Sequence, residues 1–207
     1  MKKFLFIATL TAGTALSTAS NATTMVKLST DQMVDASDAV VRGKITEVWT
    51  EEDSTGIVWT RAQLEVSQTL KGSKSKNAYV IDQMGGTFGG NETTVAGSAQ
   101  FSPGEEGIFF LERLGSGRIT TVGLSQGKLT IRLDPYSREK IVQRYAADTA
   151  KEYDHRFIPL PSAEKRVFLI DMIENIENRV EAGWDGEGIP GTSKDRLERI
   201  NRKEVTK

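Results

Sequence analysis

The sequence predicts a mainly β fold, a small barrel or sandwich, with a short helix at its start and an amphipathic helix after it. Three observations carry this expectation. Thirteen residues from Val58 to Leu70 alternate in polarity, further short apolar runs follow at intervals of roughly 8 to 12 residues, and one late segment changes to helical spacing.

The chain begins with Lys2 and Lys3, continues through a short apolar stretch from Phe4 to Leu16, and reaches small residues ending at Ala22. This is the layout of a secretory signal peptide, so residues 1–22 are expected to be removed and Thr23 to become the amino terminus. The apolar stretch falls short of the about 20 residues a membrane span needs. In "KLSTDQMVDASDAV", Ser29 stands three residues before Gln32, the spacing of a capping box, which predicts a helix over Thr30–Ala36 with Met33 and Val34 buried.

From Ala39 the residues become β-branched, with Val41, Gly43 and Ile45 on one face of a strand and Arg42 and Lys44 on the other. After the polar turn "EEDSTG" comes the alternating strand, in which Val58, Thr60, Ala62, Leu64, Val66 and Leu70 share a face. "AYVIDQM" reads as a third strand and leads into "GGTFGG". Pro103 and Gly104 make a turn ahead of the strand Ile108–Leu111, and "RITTVGL", "GKLTIRL" and "KIVQRYA" are further strands, the last two joined by "DPYSRE". Pro159 and Pro161 end this region and Ser162 supplies a cap. Leu169, Met172, Ile173, Ile176 and Val180 then recur at helical spacing, which predicts a helix over about residues 163–182 that stops before Gly183. Its apolar stripe is expected to cover the β domain, with packing on a partner as the alternative. The domains read as a β domain over 23–160, a helix over 161–183 and a flexible charged tail over 184–207.

Composition limits function. Removing residues 1–22 takes two lysines and no acid, leaving 25 basic and 28 acidic side chains over 185 residues. No clustered basic excess marks a nucleic-acid partner. Cysteine is absent, which removes disulfides, thiolate metal sites and a cysteine nucleophile, and His155 is the single histidine, so no multi-histidine metal site exists. No metal ligands, cofactor or membrane span in the mature chain are expected.

Gly85 to Gly90 contain four glycines, yet a phosphate loop needs a following Lys and Ser or Thr at a helix start, and here Asn91, Glu92, Thr93 and Thr94 follow. The glycines instead predict positive φ angles in a wide turn or a close backbone crossing, with Phe88 at its tip. No G-x-S-x-G elbow occurs, and "EYDHRF" makes His155 an exposed residue of a polar connection. Glu51-Glu52-Asp53, Glu105-Glu106 and Asp185 with Glu187 read as solvated turns, although paired carboxylates are what a hydrolase would use. "DGEG" lacks the acidic positions of a calcium loop. No residue is assigned a catalytic role. Trp49 and Trp59 flank the first hairpin turn and are expected to face each other. An exposed Trp59 would mark a binding surface, whereas one covered by the late helix would be core, and Phe88 poses the same choice.

"SDAVVRGKITEVW", followed by a long strand ending "VSQTLKG", resembles the netrin-like OB-fold modules, which include the tissue inhibitors of metalloproteases. The matching residues are Asp38 to Lys44 and Leu70 to Gly72, with "GEEGIFFLERL" in the place of a later barrel strand. The likeness covers about residues 28 to 133 and extends to uncharacterised exported bacterial proteins. It implies an OB-like barrel of five to seven strands. Those inhibitors set an N-terminal cysteine on the protease zinc, whereas this chain is predicted to begin Thr23-Thr24-Met25. The expected function is an exported, periplasmic or extracellular, non-enzymatic module that binds an envelope or secreted protein through Trp59, Arg61, Phe88, Gly89 and Asn91 on the open strand face and its loops. The alternative is a secreted hydrolase using paired carboxylates.

Overall fold

The structure, a computed structural model, describes residues 23–144, 150–153, 167–192 and 194. In chain order it contains β1 (Thr23–Val26), α1 (Thr30–Ala36), β2 (Ala39–Glu52), β3 (Val58–Lys71), β4 (Ala78–Met84), β5 (Gly86–Phe88), β6 (Asn91–Thr93), β7 (Glu106–Arg113) and β8 (Ile119–Thr121). A 3-10 turn (Leu124–Gly127), β9 (Lys128–Leu133), β10 (Lys140–Arg144), β11 (Ala150–Tyr153), β12 (Val167–Phe168) and α2 (Leu169–Ala182) complete it. The expected signal peptide, His155, Pro159, Pro161, Ser162 and the tail beyond Lys194 lie outside the described residues.

The centre is an antiparallel sheet in the order β12-β10-β9-β7-β2-β3-β4, with β8 paired to the end of β7. Its middle strand shows why two cores form. In "GIFFL" an unbroken apolar run puts side chains on both faces, so each face must be covered. Ile108 and Phe110 join Val40, Val122, Leu129 and Ile131 beneath α1 and α2. Phe109 and Leu111 join Val41, Ile45, Ala62, Leu64 and Ile81 on the opposite face.

The sheet is coiled rather than flat. β2 and β3 are 14 residues each, more than twice the common strand length of about 6. Their pairing slips three times: Val40 opposes Lys71 while Val41 opposes Thr69, and further shifts follow Arg42 and Ile45. Each slip is a bulge that bends the strand and adds twist. At the first, Leu70 is the extra residue and turns to the helix-covered core, away from the face of Ala62 and Leu64. The expectation that Leu70 shares that face is corrected here. The coiling draws β4 toward β8, where Arg118 Nη1 lies 3.1 Å from Asp82 Oδ1. No backbone pairing joins those strands among the described residues, so the eight-stranded sheet is mainly β but not closed.

Both helices cover the same core. Ser29 Oγ accepts from Gln32 N at 3.1 Å, while Gln32 Oε1 accepts from Ser29 N at 2.9 Å, the reciprocal capping box that starts α1 as predicted. Met33 and Val34 are buried, and Lys71 Nζ donates to Val34 O at 2.6 Å, a cation on the carbonyl end of the helix. In α2, Leu169, Met172 and Ile176 are buried against the sheet with Ile173 and Val180 beside them, so its stripe covers the β domain. α2 starts at Leu169, later than the spacing predicts. Val167 and Phe168 fit the helical pattern but pair with Val142 and Ile141 of β10, and the added ladder overrides local periodicity. Arg179 clamps α2 to α1 through Asp35, with Nη2 to Oδ2 at 2.5 Å.

Candidate functional site

The predicted binding residues gather at the end of the sheet formed by the β2–β3 turn, the end of β4 and the β5–β6 hairpin. The turn is built by Asp53. Its Oδ1 accepts from Thr55 N at 2.9 Å, Thr55 Oγ1 at 2.6 Å and Ile57 N at 3.2 Å, and its Oδ2 accepts from the Trp59 indole at 2.8 Å. The Thr55 hydroxyl, then the Trp59 indole, hold this carboxyl well below the usual carboxylate range.

Register places six side chains in two cross-strand rows on one face. Trp49 opposes Arg61, which opposes Asp82; in the next row Glu51 opposes Trp59, which opposes Met84. Trp49 and Trp59 are therefore diagonal neighbours rather than the facing pair that was expected. The Arg61 guanidinium sits 5.5 Å from the Trp49 ring centroid, and its Nη1 reaches Glu51 at 3.0 and 3.1 Å. Arg61 Nε lies 2.9 Å from Asp82 Oδ1 without forming a hydrogen bond, so that contact is a charge pair only. Arg118, from the turn before β8, stacks 4.3 Å above Trp59 and contacts Asp82. Trp59 is 8 % exposed in consequence. What covers it is Arg118 and the Asp53 turn, whereas α2 belongs to the other end of the sheet.

The glycine segment is a tight hairpin rather than a wide turn. Phe88 pairs with Asn91 across a two-residue turn in which Gly89 and Gly90 have φ of +58° and +84°. Both central residues with positive φ define the turn that matches strand twist, which glycine adopts without strain. The close crossing is also present, at Gly86: a Cβ there would lie 2.5 Å from Thr60 Oγ1 and 2.8 Å from Thr50 Cγ2. The same two threonines hold the hairpin, since Thr50 Oγ1 donates to Thr87 O at 2.7 Å and Thr60 Oγ1 donates to Gly85 O at 2.7 Å.

Thr50 and Thr60 oppose each other between the two rows, so strand alternation points them to the face opposite Trp59 and Arg61. The five predicted residues are thus divided. Trp59 and Arg61 belong to a charged, largely covered face, and Phe88, Gly89 and Asn91 to the hairpin over the other. Phe88 is 41 % exposed, and Met84 and Ile57 are exposed at the same end. Sequence reading missed Asp53, Asp82, Met84 and Arg118. Asp82 had a signal, a lone acid inside the apolar run "AYVIDQM"; Arg118 had none, because its partners come from distant strands.

Of the acids considered for catalysis, Glu51, Asp53, Glu105, Glu106 and Asp185 are engaged. Glu105 binds Lys128 at 2.7 Å and Thr130 at 2.7 Å, while Glu106 binds Arg42 and Lys140. Asp185 accepts from Glu187 N at 3.0 Å and pairs with Arg179 at 3.2 Å. Among the described residues no three His, Cys, Asp or Glu side chains are grouped to hold a metal, and no helix is long and apolar enough to cross a membrane. No protein-family model matches the chain, and neither does any curated protein sequence.

Proposed function

We infer that this chain is an exported, non-enzymatic binding module that takes a protein or envelope ligand at the β5–β6 hairpin. The observation that carries this reading is Phe88, a large aromatic 41 % exposed at the tip of a hairpin fastened at Thr50 and Thr60. An aromatic anchor already fixed in place loses little conformational freedom on association, which is how a few residues come to dominate an interface. Asn91, opposite Phe88, offers polar contacts at its edge. On the other face Trp59 and Arg61 act as supports: they stiffen the β2–β3 end from which the hairpin hangs. Export follows from the layout of residues 1–22.

The OB-like barrel belongs to the same proposal. A coiled antiparallel sheet with β4 and β8 joined by Asp82 and Arg118 supports an incompletely closed barrel, whose ligands use strand faces and loops. The hydrolase alternative has less support. A general acid needs a raised pKa, yet Asp53, Glu106 and Asp185 all shift downward; for Glu106 burial opposes ionisation, and the Lys140 and Arg42 hydrogen bonds outweigh it.

The test is affinity capture from an envelope extract with wild type and Phe88→Ala. A partner retained by wild type and lost by Phe88→Ala, with unchanged circular dichroism, is the expected result. Equal retention by both overturns the assignment of the site. Trp59→Ala is a poor probe, because it removes a buried ring that Asp53 and Arg118 pack against and so disturbs the fold.

A further inference from the structure

α2 carries a second surface, at the opposite edge of the sheet from β4. While Leu169, Met172 and Ile176 face the core, Ile170 is 70 % exposed and Phe168 39 %. With Ile173 they line an open groove of about 310 Å³ beside β10, bordered by Arg42, Lys140 and Glu139. The two cations are already engaged. Arg42 Nη2 lies 2.5 Å from Glu106 Oε1 and Lys140 Nζ 2.8 Å from Glu106 Oε2.

The carboxylates around the groove are not. Glu139, Glu174, Glu177 and Glu181 are exposed and make no ion pair among the described residues. Glu174 follows Ile170, and Glu177 follows Ile173, by one helical turn, and Glu181 follows Glu177 by another. Ile170 to Glu181 therefore spans about 16 Å of helix. Carboxylates at this spacing repel one another and weaken the helix that carries them.

We propose that the groove and the carboxylate line beyond it dock a cationic amphipathic segment of a partner protein. A bulky apolar side chain of that segment enters beside Phe168 and Ile170, and its Lys or Arg side chains pair with Glu174, Glu177 and Glu181. Charge selects this occupant. A second copy packed symmetrically on this face would oppose one glutamate line to another, and an anionic lipid surface would be repelled. The surface lies away from the β5–β6 hairpin, so this proposal and the Phe88 site stand or fall separately.

Fluorescence anisotropy on the full chain tests it, with two labelled helical peptides of about 15 residues that share one apolar pattern, one built from Leu and Lys and the other from Leu and Glu. The Leu/Lys peptide binds and the Leu/Glu peptide does not. Ile170→Asp and the double change Glu174→Lys with Glu177→Lys each weaken binding about tenfold or more, and raising salt from about 0.05 to about 0.5 M weakens it in the wild type. Phe88→Ala leaves it unchanged. All three altered positions are exposed, and circular dichroism confirms that the variants fold. Failure of the Leu/Lys peptide to bind, equal binding to both α2 variants, or equal binding of the Leu/Glu peptide overturns the proposal.

Discussion

Asp53 shows how much one side chain organises here. Its Oδ1 closes the β2–β3 turn through Thr55 and Ile57, and its Oδ2 receives the Trp59 indole with Arg118 Nη2 at 3.7 Å. Asp53→Asn keeps an oxygen for the turn but sets an NH₂ group against the indole N–H and the guanidinium, donor against donor. The native carboxyl is held below its ordinary value near 3.8, so its contribution to stability is complete above that value and is lost as the pH falls toward the lowered one. Thermal midpoints at a series of pH values are expected to show Asp53→Asn less stable than wild type at neutral pH, with the gap closing below about pH 4. A gap independent of pH would mean that the carboxylate charge plays no part. At this scale the sequence exposed only local partners. Thr55 stands two residues from Asp53, whereas Arg118 reaches Asp82 across 36 positions, a meeting that only the coiled sheet produces.

Among the elements, the β5–β6 hairpin depends on two kinds of glycine. Gly89 sits at φ +58° with nothing within 4 Å of an added Cβ, a conformation asparagine also accepts. Gly86, at φ +131°, lacks both the backbone freedom for a side chain and the room, with Thr60 and Thr50 inside contact distance. Urea unfolding is expected to show Gly89→Asn within about 0.5 kcal/mol of wild type and Gly86→Ala destabilised by about 1–3 kcal/mol. Equal effects would show that the hairpin does not rest on β2 and β3 as described. The density of glycine was plain in the sequence, but their separate duties were not, because Thr50 and Thr60 belong to other strands. α1 was legible to the residue, since its Ser29 and Gln32 signal is local. α2 was legible in its stripe and not in its start, because β10 captures Val167 and Phe168.

Over the whole molecule, alternation in β3 and the unbroken run in β7 made a β architecture readable, and the helical stripe of α2 foretold a cover for one face. Sheet coiling was not readable. It arises from three slips between β2 and β3, each a matter of which residues pair and not of which residues are present. The same slips send Leu70 to the helix side, and the unbroken strand alternation beyond the last of them divides the predicted site, with Trp59 and Arg61 on one face and Phe88, Gly89 and Asn91 over the other. The central claim is that the hairpin end meets the ligand. Photo-crosslinking in envelope extract tests it, with a photoreactive phenylalanine analogue placed at position 88 or, as a control, at Lys74 in the β3–β4 turn at the far end of β3. The account predicts a discrete adduct from position 88 and none from position 74. An adduct from position 74 with none from position 88 would contradict it.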